Sequence, residues 1–166
     1  MARKPRPLSR WQIKWMLNLY PPWLFQGIRI VEIDPEFRRC RVRVARSLRT
    51  RNLNGTTFGG TIFAAADPIY ALMYWQIFAR RGERLRVWLK SAQIRYLRPA
   101  RTALTFEFAL SDASLEQAVA ALDREGRFTE SHQTEAYDRG GEICAVVDTT
   151  VYLRRPKTDQ PDLSAF

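Results

Sequence analysis

Asn52-Leu-Asn-Gly-Thr-Thr-Phe-Gly-Gly-Thr-Ile-Phe-Ala-Ala-Ala-Asp67 is the stretch on which the reading of this chain turns. It begins in turn chemistry, with Asn54-Gly55 and then Gly59-Gly60. From Thr61 to about Arg80 the chain is apolar, and Asp67 is the only acidic residue in that span. A helix of ~20 residues there would be ~30 Å long. Being apolar on nearly every side, it needs cover on nearly every side. Ala64, Ala65 and Ala66 are small enough for a sheet to wrap closely around it.

Asp67 needs an explanation, because a carboxylate in apolar surroundings is costly unless it is paired. Its neighbours at helical spacing are Phe63, Tyr70, Ala71 and Tyr74. Such a pocket raises the pKa and suits a general base. A plainer role is equally open: Asp followed by Pro68 makes a good N-cap and first helical residue. Inside a continuous helix, Pro68 would instead remove the hydrogen bond to the Ala64 carbonyl and bend the axis. Gly59-Gly60 is either a flexible turn or the open start of the helix. In the second case its free N–H groups could face a developing oxyanion.

Outward from this segment the periodicity changes to two. Cys40, Val42 and Val44 alternate with Arg39, Arg41 and Arg43, so 27–34 and 37–46 read as strands around the turn Asp34-Pro35-Glu36. Residues 84–98 alternate too, with a change of phase that places a bulge near Ser91. Strands are also expected over 102–110, 128–137 and 143–153, the last two joined by a hairpin at Asp138–Gly141. Ser114–Glu125 reads as a helix capped by Asp112 or Ser114 and ended by Gly126. Near the N-terminus, Ser9 and Gln12 form a capping-box pattern ahead of Trp11, Trp15 and Leu19, and Pro21-Pro22 stops that helix over 9–20. It can lie on a membrane through its basic flank or pack on its own protein, and packing is the weightier reading. Strands dominate and one apolar helix needs covering, so an antiparallel sheet curled around that helix is expected.

The chain has 166 residues, which suits one domain over 1–166 with a core at about 25–153 and a loose tail over 156–166. Its 27 basic against 17 acidic residues give a net charge of +10, which favours anionic partners. Arg38, Arg39, Arg41 and Arg43 can equally be a solvated strand face. Nucleic acid ranks last among such partners, because no recognised nucleic-acid motif is present. Cys40 and Cys144 lack metal-ligand spacing and are expected to be buried free thiols. His132 reads as an ordinary strand residue. No metal and no cofactor are expected. No run of 18 apolar residues and no secretory leader is found, which points to the cytoplasm.

Asn52-x-x-Gly55-Thr-x-Phe58-Gly59-Gly60, then six residues, then Asp67, resembles the N-x-x-G-T-x-H-G-G…D segment of hotdog-fold acyl-CoA thioesterases. It looks most like the phenylacetyl-CoA thioesterases and the human thioesterase-superfamily-member type. Ile94-Arg-Tyr-Leu-Arg-Pro-Ala-Arg101 resembles the strand-end Y-x-R-P-A passage of the same superfamily. The resemblance implies an α+β hotdog fold: about six curved antiparallel strands around one long central helix, with an N-terminal and a short inserted helix added. It implies a homodimer or dimer of dimers with the site between protomers. Asp67 would activate water or attack the thioester. The N–H of Gly59, with Gly60, would polarise the carbonyl, and Asn52 would orient water or the leaving group. Thr57, Phe58, Phe63 and Tyr70 would line the substrate. Arg95 and Arg98, with Arg101, would hold coenzyme A phosphates or else remain strand-end charges. One position departs from the pattern: Phe58 stands where the family has histidine and cannot carry a proton. Hydrolysis of an acyl-CoA is therefore the leading expectation, and acyl-CoA binding without turnover is the alternative.

Overall fold

The structure is a computed structural model that describes residues 7–156. The tail expected to be loose lies, beyond Pro156, outside the described residues. Ser9 caps α1 (Arg10–Leu19) in the expected box. Its Oγ accepts from the Gln12 N–H at 3.2 Å, and the Gln12 side chain accepts from the Ser9 N–H at 2.8 Å. Pro21-Pro22 does more than stop this helix. The two prolines open α2 (Pro21–Phe25), in first-turn positions whose N–H groups lack helical partners anyway.

The remaining elements are β1 (Ile28–Ile33), β2 (Arg39–Val44), a 3-10 turn (Leu48–Thr50), α3 (Gly59–Ala66), α4 (Ile69–Arg80), β3 (Arg86–Tyr96), β4 (Leu104–Ala109), α5 (Asp112–Glu125), β5 (Arg127–Tyr137) and β6 (Ile143–Arg154). The strands form one antiparallel sheet in the order β1-β2-β4-β5-β6-β3. On β2, Cys40, Val42 and Val44 are buried while the arginines between them are exposed. The register of β3 against β6 slips between Leu89 and Ser91, so the phase change read there is a bulge. Arg41 sits between Glu32 at 2.9 Å and Glu107 at 3.0 Å, so part of the basic strand face is paired. Such exposed pairs contribute little to stability. Both cysteines are free and buried.

Two local expectations need correction. Ser111, rather than Asp112 or Ser114, caps α5. Its Oγ accepts from the Ser114 N–H at 3.0 Å, and the helix begins at Asp112 rather than at Ser114. The other is the reading of Asp67 as the N-cap of a new helix: the residue is set within the one long helix that spans Gly59–Arg80. That helix is interrupted at Asp67-Pro68, where the proline has no N–H to offer. Asp67 has helical dihedrals, φ −48° and ψ −57°, and its N–H donates to the Phe63 carbonyl at 3.1 Å. It therefore closes α3, and the N-cap of α4 is Pro68.

Ala65, Ala66, Ile69, Met73, Tyr74 and Phe78 are fully buried against sheet residues such as Val42, Phe106, Val147 and Val151. Each large apolar side chain so buried contributes roughly 1.5–3 kcal/mol. Within Gly59–Arg80 an 18-residue window has a mean hydropathy of 1.2, and the helix is long and apolar enough, by length and composition alone, to cross a membrane. Its cover is the sheet, which accounts for its composition.

The sheet has two edges, β1 and β3. Helix α1 closes the β1 edge. The Asn18 side chain accepts from the Ile30 N–H at 2.7 Å and donates to the Ile30 carbonyl at 3.1 Å, while Lys14 Nζ donates to the Val31 carbonyl at 2.8 Å. No strand of the described residues pairs along the outer side of β3. An unpaired edge of 11 residues is a template for another chain.

Candidate active site

The loop before α3 is built by Asn52. Its side-chain oxygen accepts from the N–H groups of Asn54 and Thr56, each at 3.0 Å, and its amide donates to the Thr56 hydroxyl at 2.9 Å. Holding the loop is what this side chain does in the structure. Arg46 ties the loop down from outside, donating to the carbonyls of Gly55 and Arg101. The Thr57 N–H donates to the Ala100 carbonyl at 2.9 Å and the Phe58 N–H to the Thr50 carbonyl at 2.8 Å. Thr57 is buried. These contacts fix the direction in which α3 starts.

Phe58 is the N-cap residue of α3, and having no side-chain oxygen it makes no capping bond. Its carbonyl accepts from Thr61 and Ile62. The N–H groups of Gly59 and Gly60 precede the first intrahelical bond, so the helix itself offers them no partner. At both glycines an added side chain would have to push an exposed aromatic ring aside. A Cβ at Gly59 would lie 2.6 Å from the Tyr96 hydroxyl, and one at Gly60 would lie 2.5 Å from the Phe58 ring. Tyr96 thus stands over the helix start, a position that strand periodicity does not reveal. The signal that could have found it is the Y-x-R-P-A passage, which begins at this tyrosine. Burial pushes its hydroxyl pKa up.

Asp67 lies at the other end of α3, half-buried. Burial pushes its carboxyl above the usual carboxylate range. Phe63, one turn earlier, is half-buried as well. Tyr70 is turned toward β5 in the core: its ring stacks on His132 at 4.2 Å and its hydroxyl donates to the Gln133 carbonyl at 3.3 Å. His132 in turn approaches Glu130 at 3.2 Å, and the Tyr74 hydroxyl donates to Glu130. Arg95 faces Asp148 at 3.5 Å and Arg98 pairs with Glu142, so both carry acidic neighbours while staying exposed. The structure therefore brings Phe58, Gly59, Gly60 and Tyr96 together and leaves Asp67 at the far end of the same helix. A cleft of about 500 Å³ between α5 and β5, lined by Gln117, Arg124 and Phe128 among others, touches none of these residues.

A six-stranded antiparallel sheet around a central helix, with a Gly-Gly start to that helix and a carboxylate at its break, defines a hotdog-fold protein. Within that class, the chain belongs to the family described as Domain of unknown function (DUF4442), which it matches over residues 9–153. Among solved structures it is similar to a Pseudomonas aeruginosa protein of unknown function described as a probable thioesterase. That pair shares 20% identity over 90% of this chain and 98% of the other, with a TM-score of 0.80. A Haemophilus influenzae thioesterase is similar at 15% identity over 96% of this chain and 100% of the other, TM-score 0.67. The E. coli PaaI protein from the phenylacetic acid degradation operon is similar at 18% identity over 89% and 93%, TM-score 0.62. No curated protein matches the chain. At these identities the likeness carries the fold.

Proposed function

We propose that this protein hydrolyses an acyl-CoA or related thioester at a site shared between two protomers. The observation that carries this reading is the separation of Gly59 from Asp67. They lie eight residues apart, so α3 holds them ~12 Å apart at ~1.5 Å per residue. Reacting groups must sit about 3–3.5 Å apart, so the two cannot act on one carbonyl within a chain. Two copies related by a two-fold axis can bring the Asp67 of one to the helix start of the other. The open β3 edge supplies a surface for that pairing, giving a dimer or a dimer of dimers.

The thioester carbonyl oxygen accepts a hydrogen bond from the Gly59 N–H, supported by Gly60, as negative charge develops on it. Asp67 takes the proton of an attacking water and passes it to the departing coenzyme A thiolate; alternatively its carboxylate attacks the carbonyl and expels the thiolate, and water then cleaves the resulting acyl anhydride to free the acid and restore Asp67. One oxyanion donor contributes roughly 2.7–4 kcal/mol, and a placed base roughly 10²–10⁴-fold. Burial raises the pKa of Asp67, which makes it a stronger base than an ordinary carboxylate. Phe58, Phe63 and Tyr96 offer the acyl group an apolar wall, while Arg95 and Arg98 offer the phosphates positive charge. Coenzyme A here is part of the substrate.

A panel of acyl-CoAs with a free-thiol readout tests the reading. Wild type is expected to release thiol from at least one of them, and Asp67→Asn to lose about 10²–10⁴-fold. Equal release by the two proteins would remove Asp67 from the chemistry. One observation favours a second reading, acyl-CoA binding without turnover: the Phe58 ring lies against Gly60, in the position of the family histidine. Saturable binding with no thiol release from any of the panel would favour it.

A further inference from the structure

We infer that the outer face of α1 and α2 docks this protein on an anionic lipid surface. The inner face is fully used by the protein. Ile13 and Trp23 are buried, and Trp23 Nε1 donates to the Ala64 carbonyl at 3.2 Å, tying α2 to α3. The outer face is Trp11, Trp15, Leu19, Tyr20, Leu24 and Phe25, all exposed, with Trp15 at 63% and Phe25 at 64%. Trp11, Trp15 and Leu19 recur every fourth residue, which lines them along one side of the helix.

Exposed aromatic residues in this number mark an interaction surface, and the charge around them says which kind. The Arg10 guanidinium lies 5.2 Å and Lys14 Nζ 5.7 Å from the Trp11 ring. Residues 1–31 contain Arg3, Lys4, Arg6, Arg10, Lys14 and Arg29 and no acid; the first is Glu32. Tryptophan and tyrosine beside basic residues are the composition of segments that lie in a bilayer interface, where rings enter the headgroup layer and cations meet anionic phosphates. A second copy fits less well, because two-fold pairing through this face would set one basic patch against another. Because α1 is fixed to the β1 edge by Asn18 and Lys14, the face is presented rigidly rather than on a loose arm. This inference is independent of whether the protein hydrolyses thioesters.

The test is co-sedimentation of the full chain with phosphatidylcholine vesicles made with and without phosphatidylglycerol, alongside tryptophan fluorescence. Wild type is expected to bind the anionic vesicles with a blue shift and to leave neutral vesicles unbound. The triple variant Trp11→Ser/Trp15→Ser/Phe25→Ser keeps the net charge and is expected to bind about tenfold more weakly. Arg10→Gln, which removes one charge and its contact with the Trp11 ring while leaving the exposed aromatics in place, is expected to weaken binding about fivefold. Equal binding by wild type and a folded triple variant would overturn the inference by reducing it to general charge attraction. Absence of wild-type binding would overturn it as well. A fall in oligomer mass in the triple variant would overturn it too, by showing that a second copy covers the face.

Discussion

Gly59 and Tyr96 form a tight contact in the site. The hydroxyl occupies the space where any side chain at Gly59 would begin. Gly59→Ala keeps the N–H but forces Tyr96 aside, and a displacement of about 1 Å near reacting groups lowers rates about 10²-fold. Stability should change by less than about 1 kcal/mol, since the first turn of a helix accepts alanine and Tyr96 is half exposed. Thiol release and melting measured together check this; equal losses in both would mean that the residue is structural. Asp67 carries a second expectation. Its folded-state pKa is raised by burial, so ionising it opposes folding. Wild-type stability is therefore lost as pH rises from the ordinary carboxylate range through the raised value, and Asp67→Asn escapes that loss. The variant should melt above wild type at neutral pH, with the gap closing below about pH 4. A gap independent of pH would contradict the assigned cause. The residue pattern made Gly59 and Asp67 legible, because a lone acid in an apolar run must be explained. It hid Tyr96, since a strand-end tyrosine 37 positions away reaches Gly59 only through the tertiary fold.

At the scale of elements, the strands and the bulge near Ser91 were legible because alternation is a strong signal on a half-buried sheet. The ends of helices were less so. Ser111, Asp112 and Ser114 are all competent caps, and only the fold selects among them. The Asp67-Pro68 pair allows either a cap or a break, and the Phe63 carbonyl decides it by accepting from the Asp67 N–H. The packing of α4 on β5 was not visible at all. It brings Tyr70, Tyr74, Glu130 and His132 into contact, although β5 read as a plain strand. Strands β4 and β5 pair only at Thr105–Tyr137 and Phe106–Ala136, which leaves room for this polar group. Burial lowers the His132 pKa, and the nearby Glu130 carboxylate opposes that shift only in part. A histidine with a lowered folded-state pKa contributes stability above its ordinary value of about 6.5 that is lost as pH falls. Between about pH 7 and pH 5.5 wild type should lose more melting temperature than His132→Phe, which keeps the stacking on Tyr70 but cannot charge. Parallel melting curves for the two proteins would refute this.

At the scale of the whole molecule, the two sheet edges are treated differently. α1 closes β1 with side-chain hydrogen bonds, while among the described residues no strand pairs along the outer side of β3. That asymmetry, with the ~12 Å between Gly59 and Asp67 along α3, makes the proposed site a property of two chains. Co-expressing Gly59→Ala with Asp67→Asn therefore tests the central claim most directly. Each variant alone is expected to be nearly inactive. In a mixed dimer one site joins the intact Asp67 of one chain to the intact Gly59 of the other. Half of randomly paired dimers are mixed and each has one working site, so about a quarter of wild-type thiol release should return. Activity no higher than that of the separate variants would contradict the shared site.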